Sequence, residues 1–201
     1  MKLVCLDLEG VLVPEIWIEF SQAVGIPELR RTTRDEPDYD KLMKFRIDIL
    51  DKNNLKLPDI QQVIAAMEPL PGALEFTNAL REKTQLVILS DTFEQFAKPL
   101  MKKLSLPTLF CNTLEIADDG TVKGYRLRQQ DGKKHAVKAF KSMNLQVFAA
   151  GDSYNDLSML REANNSCLFR APESIKKENS NIPHTDSFDE LLAYIDSFLI
   201  D

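Results

Sequence analysis

The sequence has few of the residues that mark secreted or membrane proteins. It contains only three cysteines, Cys5, Cys111 and Cys167, and an odd number argues against a disulfide framework. Their spacing is not that of a zinc site. No apolar run is long enough to cross a bilayer, and Asp7 interrupts the first apolar segment, so we expect no signal peptide and no membrane partner. These features predict a protein of a reducing compartment, the cytoplasm.

Basic residues are also few and scattered. The 25 lysine and arginine residues are outnumbered by 31 acidic residues, the formal net charge is -6, and no run of basic residues exceeds a pair. Because nucleic-acid-binding proteins usually carry a basic patch, we expect no nucleic-acid partner. A hydrophobic content of 44% over 201 residues is ordinary for one α/β domain with a modest insertion.

The N-terminal stretch is the part around which the chain is organised. Four apolar residues, Leu3 to Leu6, are followed by Asp7, Glu9 and Gly10. This pattern predicts a buried parallel strand with two carboxylates at its carboxyl end, where ligands bind in open α/β sheets. Two close carboxylates there need a divalent cation or a proton as compensation. Taken alone, the pattern also fits a strand followed by a plain acidic turn.

Strand and helix patterns alternate along the rest of the chain. Three helical patterns fill residues 14–70 with no strand between them, which predicts a helical insertion between two parts of a core, residues 1–13 and 71–201. A turn signal at residues 118–120 predicts a β-hairpin. The alternation predicts an α/β fold, a Rossmann-like and mostly parallel sheet with right-handed crossovers.

Polar clusters follow three of the predicted strands. The clusters are Asp7 with Glu9, Ser90 with Asp91, and Asp152 with Asp156. Because parallel strands place their carboxyl ends at one edge of the sheet, we expect the clusters to converge. Asp7 and Asp152 offer the hard oxygen ligands that suit Mg²⁺, and Lys133 opens a helix that can reach the same edge. Such a group forms a site for a dianion, where an aspartate can attack phosphorus.

These residues resemble the motifs of the haloacid dehalogenase superfamily of phosphatases. The four motifs occur in order at Asp7-Leu8-Glu9-Gly10-Val11, Ser90, Lys133 and residues 151–156. The resemblance runs the length of the chain and includes a helical cap between the first two motifs. Within the superfamily the chain resembles phosphoserine phosphatases. It is most similar to a short bacterial type that is named for both phosphoserine phosphatase and phosphoserine:homoserine phosphotransferase activity.

The resemblance implies a role for each residue that matches a motif. Asp7 would be the nucleophile, and Glu9 would be the general acid and base. Asp7, Asp152 and the main-chain carbonyl of Glu9 would hold Mg²⁺. The other matching positions are Ser90, Lys133 and Asn155 at the phosphate, and Gly10 and Asp156 as supports of the loops.

Two residues of the predicted insertion match substrate-binding positions of phosphoserine phosphatases. Glu15 can meet an ammonium group, and the guanidinium of Arg46 can fork onto a carboxylate. Without the resemblance, Glu15 also fits an acid at a helix N-terminus, and Arg46 fits an edge residue that snorkels to solvent. Asp91 is a further candidate, since it can contact the ligand through its main chain or cap the helix that follows, and of the two we expect the cap.

One position departs from the superfamily pattern. Glu9 stands where the superfamily usually has Asp, and the added methylene moves the carboxyl by roughly 1.3 Å, against a tolerance of roughly 0.5 Å in a catalytic site. Either the backbone compensates or the acid–base step is slower. The bifunctional type shares this Glu, which favours the first explanation.

The resemblance implies a magnesium-dependent phosphatase that hydrolyses O-phospho-L-serine through a phospho-Asp7 intermediate. It suggests transfer of the phosphoryl group to homoserine as a second activity, and a place in serine or threonine biosynthesis. The alternatives are a phosphatase of the same fold for another small phosphomonoester, and a receiver-type phospho-acceptor without turnover. Glu9 and the insertion argue against the receiver. The apolar stripe of the C-terminal helix fits either its own core or a homodimer contact.

Overall fold

A seven-stranded sheet forms the centre of the protein over the part of the chain that the computed structural model describes, residues 1–33, 35–36 and 38–200. The strands are Lys2–Leu6 (β1), Gln85–Phe93 (β2), Thr108–Ile116 (β3), Val122–Arg126 (β4), Gln146–Gly151 (β5), Asn165–Phe169 (β6) and His184–Thr185 (β7). Their order in the sheet is β4-β3-β2-β1-β5-β6-β7.

The predicted first strand lies in the middle of this sheet. β1 pairs in parallel with β2 on one side and with β5 on the other. Every neighbouring pair is parallel except β3 and β4, which form the antiparallel hairpin predicted around residues 118–120. The predicted α/β fold, with a mostly parallel Rossmann-like sheet and a β-hairpin, is confirmed.

Helices cover both faces of the sheet. They are Ile16–Val24 (α1), Tyr39–Lys52 (α2), Leu57–Ala66 (α3), Ala73–Lys83 (α4), Glu94–Lys103 (α5), Gly132–Ser142 (α6), Leu157–Glu162 (α7), Glu173–Glu178 (α8) and Phe188–Ile200 (α9). The first three follow β1 without an intervening strand, as predicted, and are called the helical insertion below. Asp38 caps α2 by accepting from two backbone N–H groups, which explains where this helix begins.

The alternation of side chains along β1 builds a core on each face of the sheet. Val4 and Leu6 belong to one apolar cluster, and Leu3 and Cys5 belong to another on the opposite face. A strand buried on both faces has a continuous apolar sequence, which is what residues 3–6 show. The cluster of Val4 and Leu6 extends into the helical insertion, so the insertion shares its core with the sheet.

The apolar stripe of α9 packs against the protein's own core. Leu191, Ile195 and Phe198 are buried in the cluster that contains Val4 and Leu6, and α9 contacts α4 and β6. The stripe therefore needs no second subunit to cover it. Among the described residues, no helix combines the length and the apolar character that crossing a membrane requires.

Some elements differ from the sequence-based expectation. β2 continues to Phe93, four residues beyond the predicted apolar run, so Asp91 lies within the strand. The residue at the N-cap of α5 is Phe93, and it makes no side-chain cap. The expectation that Asp91 caps this helix was wrong, because Phe93 still pairs with Asn112 of β3, so the strand continues past Asp91. α8 and β7 were not predicted, since both are too short for a clear period.

Candidate active site

The polar ends of β1, β2 and β5 converge on one small cavity, as the parallel topology predicts. Its volume is about 90 Å³, and it lies between the sheet edge and the helical insertion. All predicted site residues except Gly10 and Asp156 line it. These are Asp7, Glu9, Glu15, Arg46, Ser90, Asp91, Lys133, Asp152 and Asn155.

Three buried aspartates form an acidic cluster, and two of them, Asp7 and Asp152, line the cavity. Oxygens of Asp7, Asp152 and Asp156 all lie within 4.8 Å of one another. Asp156 already uses both of its oxygens: Oδ1 accepts from Lys133 at 2.7 Å, and Oδ2 accepts from the backbone N–H groups of Asp152 and Ser153 at 3.0 Å. This leaves Asp7 and Asp152 as the members best placed to hold a cation.

Lys133 pairs with two members of this cluster, Asp7 and Asp156. Its Nζ is 2.8 Å from Oδ1 of Asp7 and 3.7 Å from Oδ2 of Asp91, in addition to its bond with Asp156. Burial opposes the charge of Lys133, but the attraction of Asp156 and Asp7 raises its pKa well above the ordinary value. Burial and repulsion by Asp156 raise the pKa of Asp7, and Lys133 only partly opposes this. One buried lysine therefore compensates the charge of three buried aspartates, Asp7, Asp152 and Asp156. This excess of negative charge favours a bound cation.

Gly10 shapes the loop that follows Asp7. Its φ of +77° is a left-handed conformation, which L side chains rarely adopt. A Cβ atom at this position would lie 2.6 Å from Oδ2 of Asp152. The loop also directs the Leu8 N–H onto Oδ1 of Asp7 at 2.7 Å. The absence of a side chain at Gly10 thus lets the loop after β1 lie against Asp152.

The longer side chain of Glu9 reaches the N-terminus of α1. Its Oε2 accepts a hydrogen bond from the Ile16 N–H at 2.9 Å, so the extra methylene spans towards the helical insertion. Burial and repulsion by Glu15 raise the pKa of Glu9 to about 7, and the Ile16 N–H opposes the rise. A carboxyl group with a pKa near neutrality can both donate and accept a proton.

Arg46 is buried, in contrast to the alternative in which it snorkels to solvent. Its exposed fraction is 6%, and Nη2 donates to the Arg31 carbonyl at 2.6 Å. Burial lowers the pKa of Arg46 to about 10, so the side chain stays charged at neutral pH. Glu15 occupies the N-cap position of α1 but makes no side-chain cap, and Glu9 binds the first N–H of that helix instead.

Asp91 connects several parts of the site. Its Oδ2 accepts from Nδ2 of Asn155 at 2.8 Å, and its carbonyl accepts from the Tyr39 hydroxyl at 3.1 Å. Asn112 also donates to this carbonyl, at 3.0 Å. Ser90, next to Asp91, accepts from the Thr92 N–H at 3.2 Å. The last residues of β2 are thereby held from the core, by Asn112, and from the helical insertion, by Tyr39.

Sequence reasoning missed two contributors to the site. Asn112 is a buried amide within the otherwise mostly apolar β3, and this contrast was a signal that could have identified it. Trp17 has the character of a packing residue in the sequence, yet its ring lines the cavity and lies against the Arg46 guanidinium. No periodic pattern distinguishes such a residue from the core of α1.

Comparison with known proteins places this fold and site in a class. A family model described as haloacid dehalogenase-like hydrolase matches residues 1–164. The chain belongs to the haloacid dehalogenase-like hydrolase family, in agreement with the resemblance of its four motifs.

Its relatives narrow the class further. The chain is 56% identical over 191 residues to phosphoserine phosphatase ThrH of Pseudomonas aeruginosa, which covers 95% of this chain and 93% of that protein. It is 54% identical over 191 residues to a phosphoserine phosphatase of Pseudomonas syringae pv. tomato, covering 95% of this chain and 81% of the relative. A solved apo phosphoserine phosphatase has the same fold, with a TM-score of 0.79 at 23% identity over 96% of this chain and 98% of the other.

Proposed function

We propose that this protein is a phosphoserine phosphatase that hydrolyses O-phospho-L-serine to serine and phosphate. The observation that carries the proposal is one cavity that combines the phosphoryl-transfer residues Asp7 and Lys133 with Glu15 and Arg46. The names of the two Pseudomonas relatives support the same substrate. A sugar phosphate would need neither a buried arginine nor an acid beside it. The resemblance also supports a role in serine or threonine biosynthesis in the cytoplasm.

Mg²⁺ fits the acidic cluster. Asp7 and Asp152 would hold the ion, together with the main-chain carbonyl of Glu9, and Asp156 would keep the loop of Asp152 in place. The cluster carries only carboxylate donors, the ligand chemistry that Mg²⁺ prefers. When bound, the ion would neutralise charge on the phosphoryl oxygens.

The residues of the chain divide the chemistry between them. The carboxylate of Asp7 attacks phosphorus, while Lys133, Ser90 and Asn155 bind the phosphoryl oxygens. Glu9 donates its proton to the serine oxygen as the P–O bond breaks, which leaves phospho-Asp7 and neutral serine. Glu9 then takes a proton from water, whose oxygen attacks phosphorus and regenerates Asp7 with release of phosphate.

The amino-acid half of the substrate would be bound by the helical insertion. Glu15 meets the ammonium group, and Arg46 forks onto the carboxylate. We propose residues 14–70 as a cap on a core of residues 1–13 and 71–201. Closure of the cap over the substrate would exclude water from the cavity until serine leaves.

Transfer of the phosphoryl group to homoserine is a second proposed activity. Because Glu9 reaches towards α1, it is less well placed than a shorter Asp to activate water, which would favour another hydroxyl as acceptor. The test compares the hydrolysis-to-transfer ratio of Glu9→Asp with that of the wild type in the presence of homoserine. We expect the hydrolysis-to-transfer ratio to rise in Glu9→Asp, and an unchanged ratio would contradict this explanation.

The main test follows phosphate release from O-phospho-L-serine with Mg²⁺ present. We expect steady turnover that disappears in Asp7→Asn and weakens at least tenfold in kcat/KM in Arg46→Ala. Turnover of other small phosphomonoesters but not phosphoserine would remove the assignment of Glu15 and Arg46 while leaving the core chemistry. A single stoichiometric phosphorylation without turnover would instead favour the receiver-type phospho-acceptor.

A further inference from the structure

The guanidinium of Arg46 lies over an aromatic ring inside the cavity. Its Cζ atom is 4.6 Å from the ring centroid of Trp17, and both side chains line the cavity. We propose that Trp17 is the positioning residue that holds Arg46 in the orientation that binds the substrate carboxylate. The inference rests on the proposed function and adds the residue that sets substrate selectivity through Arg46.

The contacts of Arg46 leave part of its fork unused. Nη2 donates to the Arg31 carbonyl at 2.6 Å, and Nη1 lies 3.8 Å from the sulfur of Met43, a weak acceptor. Nε is buried and has no hydrogen-bond partner within the part of the chain that the structure describes. An unsatisfied donor on a buried cation is costly unless a ligand supplies the acceptor. A carboxylate that accepts from the open edge of this guanidinium meets the requirement.

The ring of Trp17 is itself fixed in place. It packs edge-to-face on Phe20 of α1, with ring centroids 6.3 Å apart, and on Phe96 of α5, with ring centroids 5.6 Å apart. α5 follows β2 directly, so Trp17 joins the helical insertion to the element that follows Ser90 and Asp91. A ring that packs on two neighbouring rings has little rotational freedom. It therefore also restricts the orientation of the cation that lies over its face.

The ring also supplies what the buried charge lacks. Among the described residues Arg46 makes no ion pair within 4.0 Å, and Glu9 and Glu15 attract it only from further away, so no bonded carboxylate sets the direction of its fork. The negative face of the indole ring attracts the cation from one side and leaves its in-plane donors available. A carboxylate in place of Trp17 would compete with the substrate for those donors. An aromatic face stabilises the arginine without occupying its hydrogen bonds.

The test compares O-phospho-L-serine with O-phosphoethanolamine, which has the ammonium group but no carboxylate. In Trp17→Leu we expect KM for phosphoserine to rise about five- to tenfold, the range that about 1 to 1.4 kcal/mol of lost interaction gives. We expect kcat to stay within about twofold, and KM for phosphoethanolamine to be unchanged. Trp17→Phe keeps an aromatic face and should show a smaller rise. Phe76→Leu, an equally buried truncation in α4 away from the cavity, is the matched control and should change neither KM.

The chain offers a second readout because Trp17 is its single tryptophan. In the Asp7→Asn background, which cannot form the phospho-enzyme, we expect phosphoserine to change the tryptophan fluorescence and phosphoethanolamine to change it much less. The added substitution Arg46→Ala should abolish the response to phosphoserine.

Three outcomes would overturn the proposal. If Arg46→Ala removes the preference for phosphoserine but Trp17→Leu leaves it intact, the proposed function stands and Trp17 does not act through Arg46. If Trp17→Leu lowers turnover of both substrates equally, the residue acts through packing alone. A wild type with no preference for phosphoserine would overturn the proposed amino-acid site as well.

Discussion

At the residue scale, Glu9 joins the chemistry of the sheet edge to the helical insertion. Its carboxyl group accepts a hydrogen bond from the Ile16 N–H, the first of α1. The preceding residue, Leu8, donates its N–H to Asp7 at the sheet edge. Burial and repulsion by Glu15 also bring the pKa of this group to about 7, close to neutrality. A change at this single residue should therefore affect both stability and catalysis.

The raised pKa of Glu9 predicts a pH-dependent stability of the metal-free protein. The folded state binds this proton more tightly than the unfolded state, whose ordinary pKa is 4.5. The contribution of Glu9 to the free energy of unfolding must then decrease as the pH rises from 4.5 to about 7, and stay level above it. Glu9→Gln should lack this decrease, so its stability relative to the wild type should grow across that window. Urea unfolding in EDTA at several pH values measures it, and parallel profiles would contradict it.

Gly10 offers a prediction that separates backbone strain from the shape of the site. Gly10→Ala places a Cβ atom 2.6 Å from Asp152 on a backbone with φ of +77°. Gly25→Ala is the matched control, because φ is +69° there but no atom lies within 4 Å of the added Cβ. We expect both variants to lose about 1–2 kcal/mol of stability, and only Gly10→Ala to lose activity, by at least tenfold. Equal activity of the two variants in a phosphatase assay would contradict this account.

At the element scale, the β3–β4 hairpin is the support of the helical insertion. The Tyr125 hydroxyl donates to Asp40 of α2 at 2.9 Å, and Lys56 pairs with Asp119 at 2.9 Å. The N–H of Leu57, at the start of α3, donates to the Gly120 carbonyl at 2.9 Å. These contacts join the insertion to the antiparallel edge of the sheet. Tyr39, which is also in α2, joins this helix to the end of β2 through its hydrogen bond to the Asp91 carbonyl.

Loosening the hairpin contacts should affect substrate binding more than global stability. In the double variant Tyr125→Phe with Lys56→Ala, we expect KM for phosphoserine to rise about two- to fivefold, because α2 carries Arg46. The free energy of unfolding should fall by less than about 1 kcal/mol, since exposed pairs contribute little. Hydrogen exchange should be faster in α2 and unchanged in β1. A large loss of stability with an unchanged KM would show that the contacts serve the fold instead.

At the scale of the whole molecule, the protein buries like charges at the centre of its sheet. Asp7, Asp152 and Asp156 are all buried, and Lys133 balances only part of their charge. Such an arrangement costs stability in the absence of a cation and gains it when a cation binds to the folded state alone. The acidic cluster therefore links metal binding to the stability of the entire fold.

Removing one of these charges should stabilise the metal-free protein. In EDTA we expect Asp152→Asn to raise the Tm by a few degrees, because about 1 kcal/mol corresponds to roughly 2–4 °C for a chain of this size. Millimolar Mg²⁺ should raise the Tm of the wild type and leave that of Asp152→Asn nearly unchanged. A variant that responds to Mg²⁺ as the wild type does would exclude Asp152 as a metal ligand. Asp118→Asn, at an exposed position in the turn between β3 and β4, is the control that should change neither Tm.

The sequence by itself determined which chain segments form the sheet and where its polar ends fall. Residues 3–6 are apolar on both faces and stop at Asp7, and this pattern follows from burial of a central strand. The parallel topology then brings Asp7, Ser90 and Asp152 to one edge, because neighbouring parallel strands run in the same direction and end on the same side of the sheet. That convergence could be predicted because it depends on periodicity and chain direction alone.

Only the tertiary structure decided how the site is held together. The hydrogen bond from Asn112 to Asp91 and the contact of Trp17 with Arg46 join residues that lie far apart in the sequence. The extension of β2 past Asp91 depends on the pairing of Phe93 with Asn112 of β3, which overrode the local signal for a helix cap. Such contacts leave no period in the sequence, because each depends on the distance and direction of one side chain in the packed fold.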